Sequence, residues 1–145
     1  MARSCVSDII AAPVDKVWSV VRDFGNLDYF AEAESCRLGD GETGSTVGAV
    51  RTVYLKSGLS AQERLLGLDD YYYRATYALI DNPKFAYTGY VATLQLTPLT
   101  TASATLLEWS ASYEVAESDR ADVAAFLEQG VYEKCIAGIK RKLNC

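Results

Sequence analysis

The chain has 145 residues, 50% of them hydrophobic, with a net charge of -5 and no histidine. That size suits a single domain spanning 1–145 with a sizeable core. The missing imidazole excludes Ser-His-Asp and Cys-His machinery and histidine-bearing zinc sites, and the acidic balance argues against nucleic acid as a partner.

Cys5–Ala11 is short, apolar and closed by Pro13, which predicts a first strand. Pro13 opens a helix where its missing N–H costs least, and Val14, Val17, Trp18 and Val21 form its apolar stripe up to Gly25. A second short helical piece is expected over Leu27–Glu34, with Leu27 and Phe30 inward. From Cys36 the period becomes that of strands, at about 36–42, 45–56, 61–69, 71–81, 85–99 and 103–116. Turn signals separate them at Asp40-Gly41, Ser57-Gly58, Asp69-Asp70, Asn82-Pro83 and Pro98–Thr101. A long helix, Asp119–Leu143, closes the chain on a stripe of Val123, Phe126, Leu127, Val131, Cys135 and Ile139, interrupted at Gly130. Lys140-Arg141-Lys142 suits the negative end of its dipole.

The expected fold class is α+β: a curved seven-stranded antiparallel sheet wrapped around the long C-terminal helix, with two short helices after strand 1. A curved sheet and one helix leave space between them, and small-molecule sites are such concave, mostly apolar spaces. No run is long enough to span a membrane and no leader is evident. The four cysteines form no CxxC pair, so they read as reduced thiols in a cytoplasmic protein, with Cys36 and Cys135 buried and inert. Gly39–Gly44 spells GxGxxG, but a dinucleotide fingerprint needs a helix after it; here a strand follows, so the segment is a hairpin loop. Ten tyrosines crowd the strand region, where the residue supplies a flat apolar wall with a hydrogen-bonding tip. Trp18 and Trp109 read as packing residues.

Several strings resemble the START/Bet v 1-like superfamily, the helix-grip group that includes polyketide cyclase/dehydratase-like proteins, lachrymatory-factor synthases and plant abscisic-acid receptors. They are Ala12–Trp18, Val50-Arg51-Thr52-Val53, Ser57–Ala61, Glu63-Arg64-Leu65, Leu68-Asp69-Asp70, Gly89-Tyr90 and Leu107-Glu108. The resemblance implies that Arg51 and Glu63 face a pocket in catalytic roles, and that Tyr77, Tyr90 and Glu108 line it. Leu59 of the Ser57–Ala61 loop, with Phe126 and Leu127 of the last helix, completes the expected ligand wall. Ser57–Ala61 and Asn82–Tyr87 would form its mouth. For Glu108 two readings stand: strand alternation sends it to solvent, the resemblance sends it inward. The receptors' gate has proline where this chain has Ser60, and Asn82-Pro83-Lys84-Phe85 replaces their latch. Their ligand-holding lysine has no counterpart near Asp28–Phe30. These departures count against hormone perception.

The implied partner is a small hydrophobic or amphipathic ligand, with no cofactor, no metal, no nucleic acid and no membrane span. Three functions remain open. A cofactor-free lyase, isomerase or cyclase would use Glu63 to move a proton, Arg51 to hold developing negative charge, and Tyr77 and Tyr90 to orient substrate. A carrier or sensor of a lipid, polyketide or phenolic would use the same residues as contacts only. A ligand-gated receptor is the third.

Overall fold

A computed structural model describes residues 1–145. Seven antiparallel strands form one sheet in the order β1-β7-β6-β5-β4-β3-β2. They are β1 (Ala2–Ile10), β2 (Ala33–Leu38), β3 (Val50–Leu55), β4 (Ser60–Asp69), β5 (Arg74–Leu79), β6 (Tyr87–Leu99) and β7 (Ala104–Val115). Helix α1 (Val14–Val21) follows β1, and α2 (Arg120–Leu127) runs through a π-helical turn (Glu128–Tyr132) into α3 (Glu133–Leu143). The long strands alternate: in β7, Thr105, Leu107, Trp109, Ala111 and Tyr113 are buried, while Glu108 and Glu114 face out. The buried face of the sheet meets the last helix, and that face carries the core.

Three elements differ from the sequence expectation. Leu27–Glu34 is not a helix: it makes isolated turns, with Leu27 C=O accepting from Phe30 N–H and Phe30 C=O from Ala33 N–H, before β2 begins. Leu27, Tyr29 and Phe30 are all buried, and no single helical face holds positions i, i+2 and i+3 together. Asn26 also turns its side chain onto the Asp28 N–H, offering the backbone an alternative to a helix. Second, Tyr71–Tyr73 is a turn and not the start of β5, because the Asp69 carboxylate accepts the N–H groups of Tyr71 and Tyr72. Third, residues 45–49 belong to the long loop between β2 and β3. Gly39–Gly44 lies in that loop, with β3 after it and no helix.

Two glycines matter to how the site is built. At Gly89, φ is +60° and the β6–β7 register shifts between Thr88 and Val91, so Tyr87 and Tyr90 both turn inward although three positions apart. At Gly138 a Cβ would fall 1.6 Å from the Tyr29 carbonyl oxygen, so only glycine lets α3 lie directly on that backbone.

Candidate functional site

Between β3–β7 and the last helix lies a cavity of about 70 Å³, lined by 17 residues of which 15 are hydrophobic; its only charges are Arg51 and Glu63. The two residues stand directly opposite each other in the β3–β4 register. The Arg51 Nε–H donates to Glu63 Oε1 at 2.9 Å, and Arg51 Nη2 lies 2.8 Å from the same oxygen. Arg51 Nη1 donates to the Phe24 carbonyl at 3.1 Å. Its Cζ sits 4.1 Å from the Phe24 ring centroid and 5.0 Å from that of Tyr77, within cation–π range. Burial is the largest influence and works against the Arg51 charge, but Glu63 together with the smaller contributions of Tyr77, Tyr29 and Cys36 outweighs it, and the guanidinium holds its proton above the ordinary value. Arg51 thus uses Nε and Nη2 on one Glu63 oxygen and Nη1 on the Phe24 carbonyl, whereas Glu63 Oε2 has no hydrogen-bond partner in the protein. Arg51 holds Glu63 in place, and Glu63 presents its second oxygen to the cavity.

Tyrosine hydroxyls supply the remaining polarity. The Trp109 indole N–H donates to the Tyr77 hydroxyl at 2.9 Å. Tyr90 and Tyr132 hydrogen-bond hydroxyl to hydroxyl, and Tyr132 stacks on Trp109 with ring planes 13° apart. Burial pushes the phenols of Tyr77, Tyr90 and Tyr132 well above their ordinary value of 10.0, so all three stay protonated. Burial likewise raises the thiols of Cys36 and Cys135, which opposes thiolate chemistry.

Of the residues singled out from sequence, Arg51, Glu63, Tyr77, Tyr90, Phe126 and Leu127 line the cavity. Leu59 does not. It borders an outer groove of about 310 Å³ beside Lys84 and Val123, and that groove shares Phe85, Tyr87 and Phe126 with the cavity. Phe126 is 38% exposed and stands on the boundary between the two spaces. Glu108 is corrected outright: it is exposed on the outer face of β7, opposite Ser7 and Gln95, because its neighbours Leu107 and Trp109 take the two adjacent inward directions.

Sequence reasoning missed Tyr132 and took Trp109 for packing alone, although Trp109 lines the cavity. The helix buries Leu127 and then Tyr132, five residues on, which is the spacing of the π turn and not of an α-helix. Gly130 inside that turn was the available signal.

Residues 1–144 match the family described as polyketide cyclase / dehydrase and lipid transport. Among solved structures, a protein from Thermobifida fusca is 25% identical over 96% of this chain and 91% of its own, with a TM-score of 0.84. The protein XoxI from Bacillus cereus is 26% identical over 98% and 95%, with a TM-score of 0.83. Norcoclaurine synthase from Thalictrum flavum, solved with dopamine and hydroxybenzaldehyde, shares 18% identity over 99% of this chain and 86% of its own at a TM-score of 0.79, a likeness of fold. No helix is long and apolar enough to cross a membrane. With its family match over nearly the whole chain and its curved sheet gripping one long helix around a cavity, the chain belongs to the polyketide cyclase / dehydrase and lipid transport family of the START/Bet v 1-like superfamily.

Proposed function

We propose that the protein binds a small amphipathic molecule with its polar end at Glu63, Tyr77 and Tyr90 and its apolar remainder directed past Phe126. One observation carries this reading: a lone ion pair stands in an otherwise apolar cavity and leaves one carboxylate oxygen unbonded. An ion pair buried only for stability would need its remaining lone pairs satisfied by the protein. At about 70 Å³ the inner space is smaller than the ~150 Å³ cavity that accommodates benzene, so it suits a polar head group. The outer groove across Phe126 then receives the tail, with Phe85 and Tyr87 common to both parts.

A second reading rests on the same oxygen. Glu63 Oε2, beside two tyrosines held by Trp109 and Tyr132, is placed to accept a proton from a bound substrate, as a cofactor-free lyase, isomerase or cyclase requires. In that chemistry Arg51 positions Glu63 through its Nε and Nη2 contacts to Oε1.

Titration of isotopically labelled protein with 4-ethylphenol, followed by NMR, tests the binding reading. Saturable shifts at Tyr77, Tyr90 and Val131 are expected, with their loss in Ala61→Trp, which fills the cavity from β4. Shifts confined to exposed residues, or unaffected by the plug, would overturn it. Once a turned-over substrate is found, Glu63→Gln separates the readings: the enzyme loses turnover and keeps the phenol, whereas a carrier has no turnover to lose.

A further inference from the structure

The hydrogens of the buried tyrosines, counted one by one, define what the cavity recognises. An indole nitrogen only donates, so the Tyr77 oxygen is the acceptor in its bond with Trp109. The Tyr77 hydrogen then has no acceptor in the protein, although the residue is only 5% exposed. The Tyr90–Tyr132 bond consumes one of two hydroxyl hydrogens and leaves the other over. Tyr132 is fully buried and does not line the cavity, whereas Tyr90, 4% exposed, does. A buried donor left unmade is costly, so the lower-energy arrangement has Tyr132 donating to Tyr90 and Tyr90 donating into the cavity. The same cavity thus receives two phenol hydrogens, from rings whose centroids are 6.4 Å apart, and one unbonded carboxylate oxygen.

We infer that the cavity takes a neutral carbonyl compound head first, its oxygen accepting hydrogen bonds from Tyr77 and Tyr90, its flank facing Glu63 Oε2 and its apolar remainder leading past Phe126. A carbonyl oxygen has two lone pairs and matches the two donors. The cavity's one carboxylate also disfavours a carboxylate ligand, which would stand against Glu63 while the single guanidinium charge is already balanced by that residue. Tyr132 is a positioning residue in this scheme, acting through the direction of the Tyr90 hydrogen. The inference rests on the cavity being a ligand site.

The test compares cyclopentanone with methylenecyclopentane, a near-isostere that lacks the acceptor, by NMR titration and by the infrared carbonyl stretch. The ketone is expected to bind about tenfold tighter, with its stretch moved to lower wavenumber in the complex, as two neutral hydrogen bonds allow. Tyr77→Phe and Tyr90→Phe should each reduce the preference about three- to tenfold. Tyr132→Phe should reduce it too while leaving the affinity for methylenecyclopentane unchanged, which a merely structural role would not do. If both ligands shift the cavity resonances with equal affinity, the carbonyl assignment is overturned and the cavity remains a binding site. If neither shifts them, the binding reading itself falls. Melting temperatures of the three variants identify any that fail to fold, and the wild-type comparison of the two ligands stands without them.

Discussion

The molecule contains two well-formed arginine–carboxylate pairs, and they use their carboxylates differently. At the surface, Asp70 is saturated: Oδ1 accepts from Arg22 Nε at 2.6 Å and from the Trp18 indole at 2.8 Å, while Oδ2 accepts from Arg22 Nη2 at 2.9 Å. In the interior, Glu63 gives one oxygen to Arg51 and keeps the other unbonded. The Arg22 and Asp70 side chains are 35% and 58% exposed, whereas those of Arg51 and Glu63 are 6% and 14% exposed. Where water is plentiful and an idle oxygen would cost little, the protein bonds every one; where desolvation makes an idle oxygen costly, it leaves one open. Asp70 ties the turn after β4 to α1, and that structural task is complete in the folded chain. On the proposed function, the Glu63 arrangement is completed by the ligand that enters the cavity.

Removing the arginines should separate the pairs most strongly. Arg51→Met leaves Glu63 in an apolar cavity without its counter-charge and frees the Phe24 carbonyl, with an expected loss of about 3–5 kcal/mol in denaturant unfolding. Arg22→Met, measured the same way, should cost about 1 kcal/mol or less, as exposed pairs do. Equal losses would mean that the interior pair is hydrated like the surface one.

The double substitution Arg51→Met/Glu63→Leu sharpens the contrast. Replacing both charges by apolar groups of similar size removes the desolvation cost along with the attraction, and such exchanges are often close to neutral. The expected stability is within about 2 kcal/mol of the parent, the Phe24 carbonyl being the main residual loss. Binding of 4-ethylphenol should fall at the same time. A double variant as unstable as Arg51→Met alone would assign the pair a mainly structural purpose.

The two pairs were not equally legible in the sequence, for a geometric reason. Arg51 and Glu63 belong to adjacent strands joined by a tight turn, so alternation and the hairpin register bring them face to face. The same alternation placed Glu108 outside, against the pocket position that family resemblance suggested for it. The Trp18–Arg22–Asp70 contacts join residues 48 or more apart through a helix-to-turn contact that carries no periodic signature. Tyr132 was hidden because an α-helical period brings Val131 inward, and only the π turn at Gly130 rotates the next residue into the core. Tyr90 required the bulge at Gly89. The cavity's size depends on how far Phe24, Tyr29, Trp109 and Tyr132 fill the space under the sheet. Composition gives the amount of apolar side chain but not its packing, and the space left is far smaller than half a chain of hydrophobic residues suggests.

Acid gives the smallest expected effect and isolates the surface pair. The Arg22 guanidinium, then the Trp18 indole, hold the Asp70 carboxyl down to about 2. A carboxyl depressed on folding adds stability above its unfolded value of about 3.9, and that stability is lost as pH falls towards 2. Asp70 is more than half exposed, so solvent screening limits the contribution to about 1 kcal/mol at most. Asp70→Asn keeps an oxygen for the Trp18 N–H and removes the charge, together with the acceptor of the Arg22 Nη2 bond. Wild type should therefore melt slightly above this variant at pH 5, and the gap should close between about pH 4 and 2. Asp8 and Asp28, lowered by Lys140 and Lys142, titrate in both proteins and cancel from the difference. Salt should narrow the same gap at pH 5, whereas the penalty of Arg51→Met should scarcely respond, because buried charges are screened far less. A gap that persists at pH 2 would show that the Asp70 charge is not what ties α1 to the turn after β4.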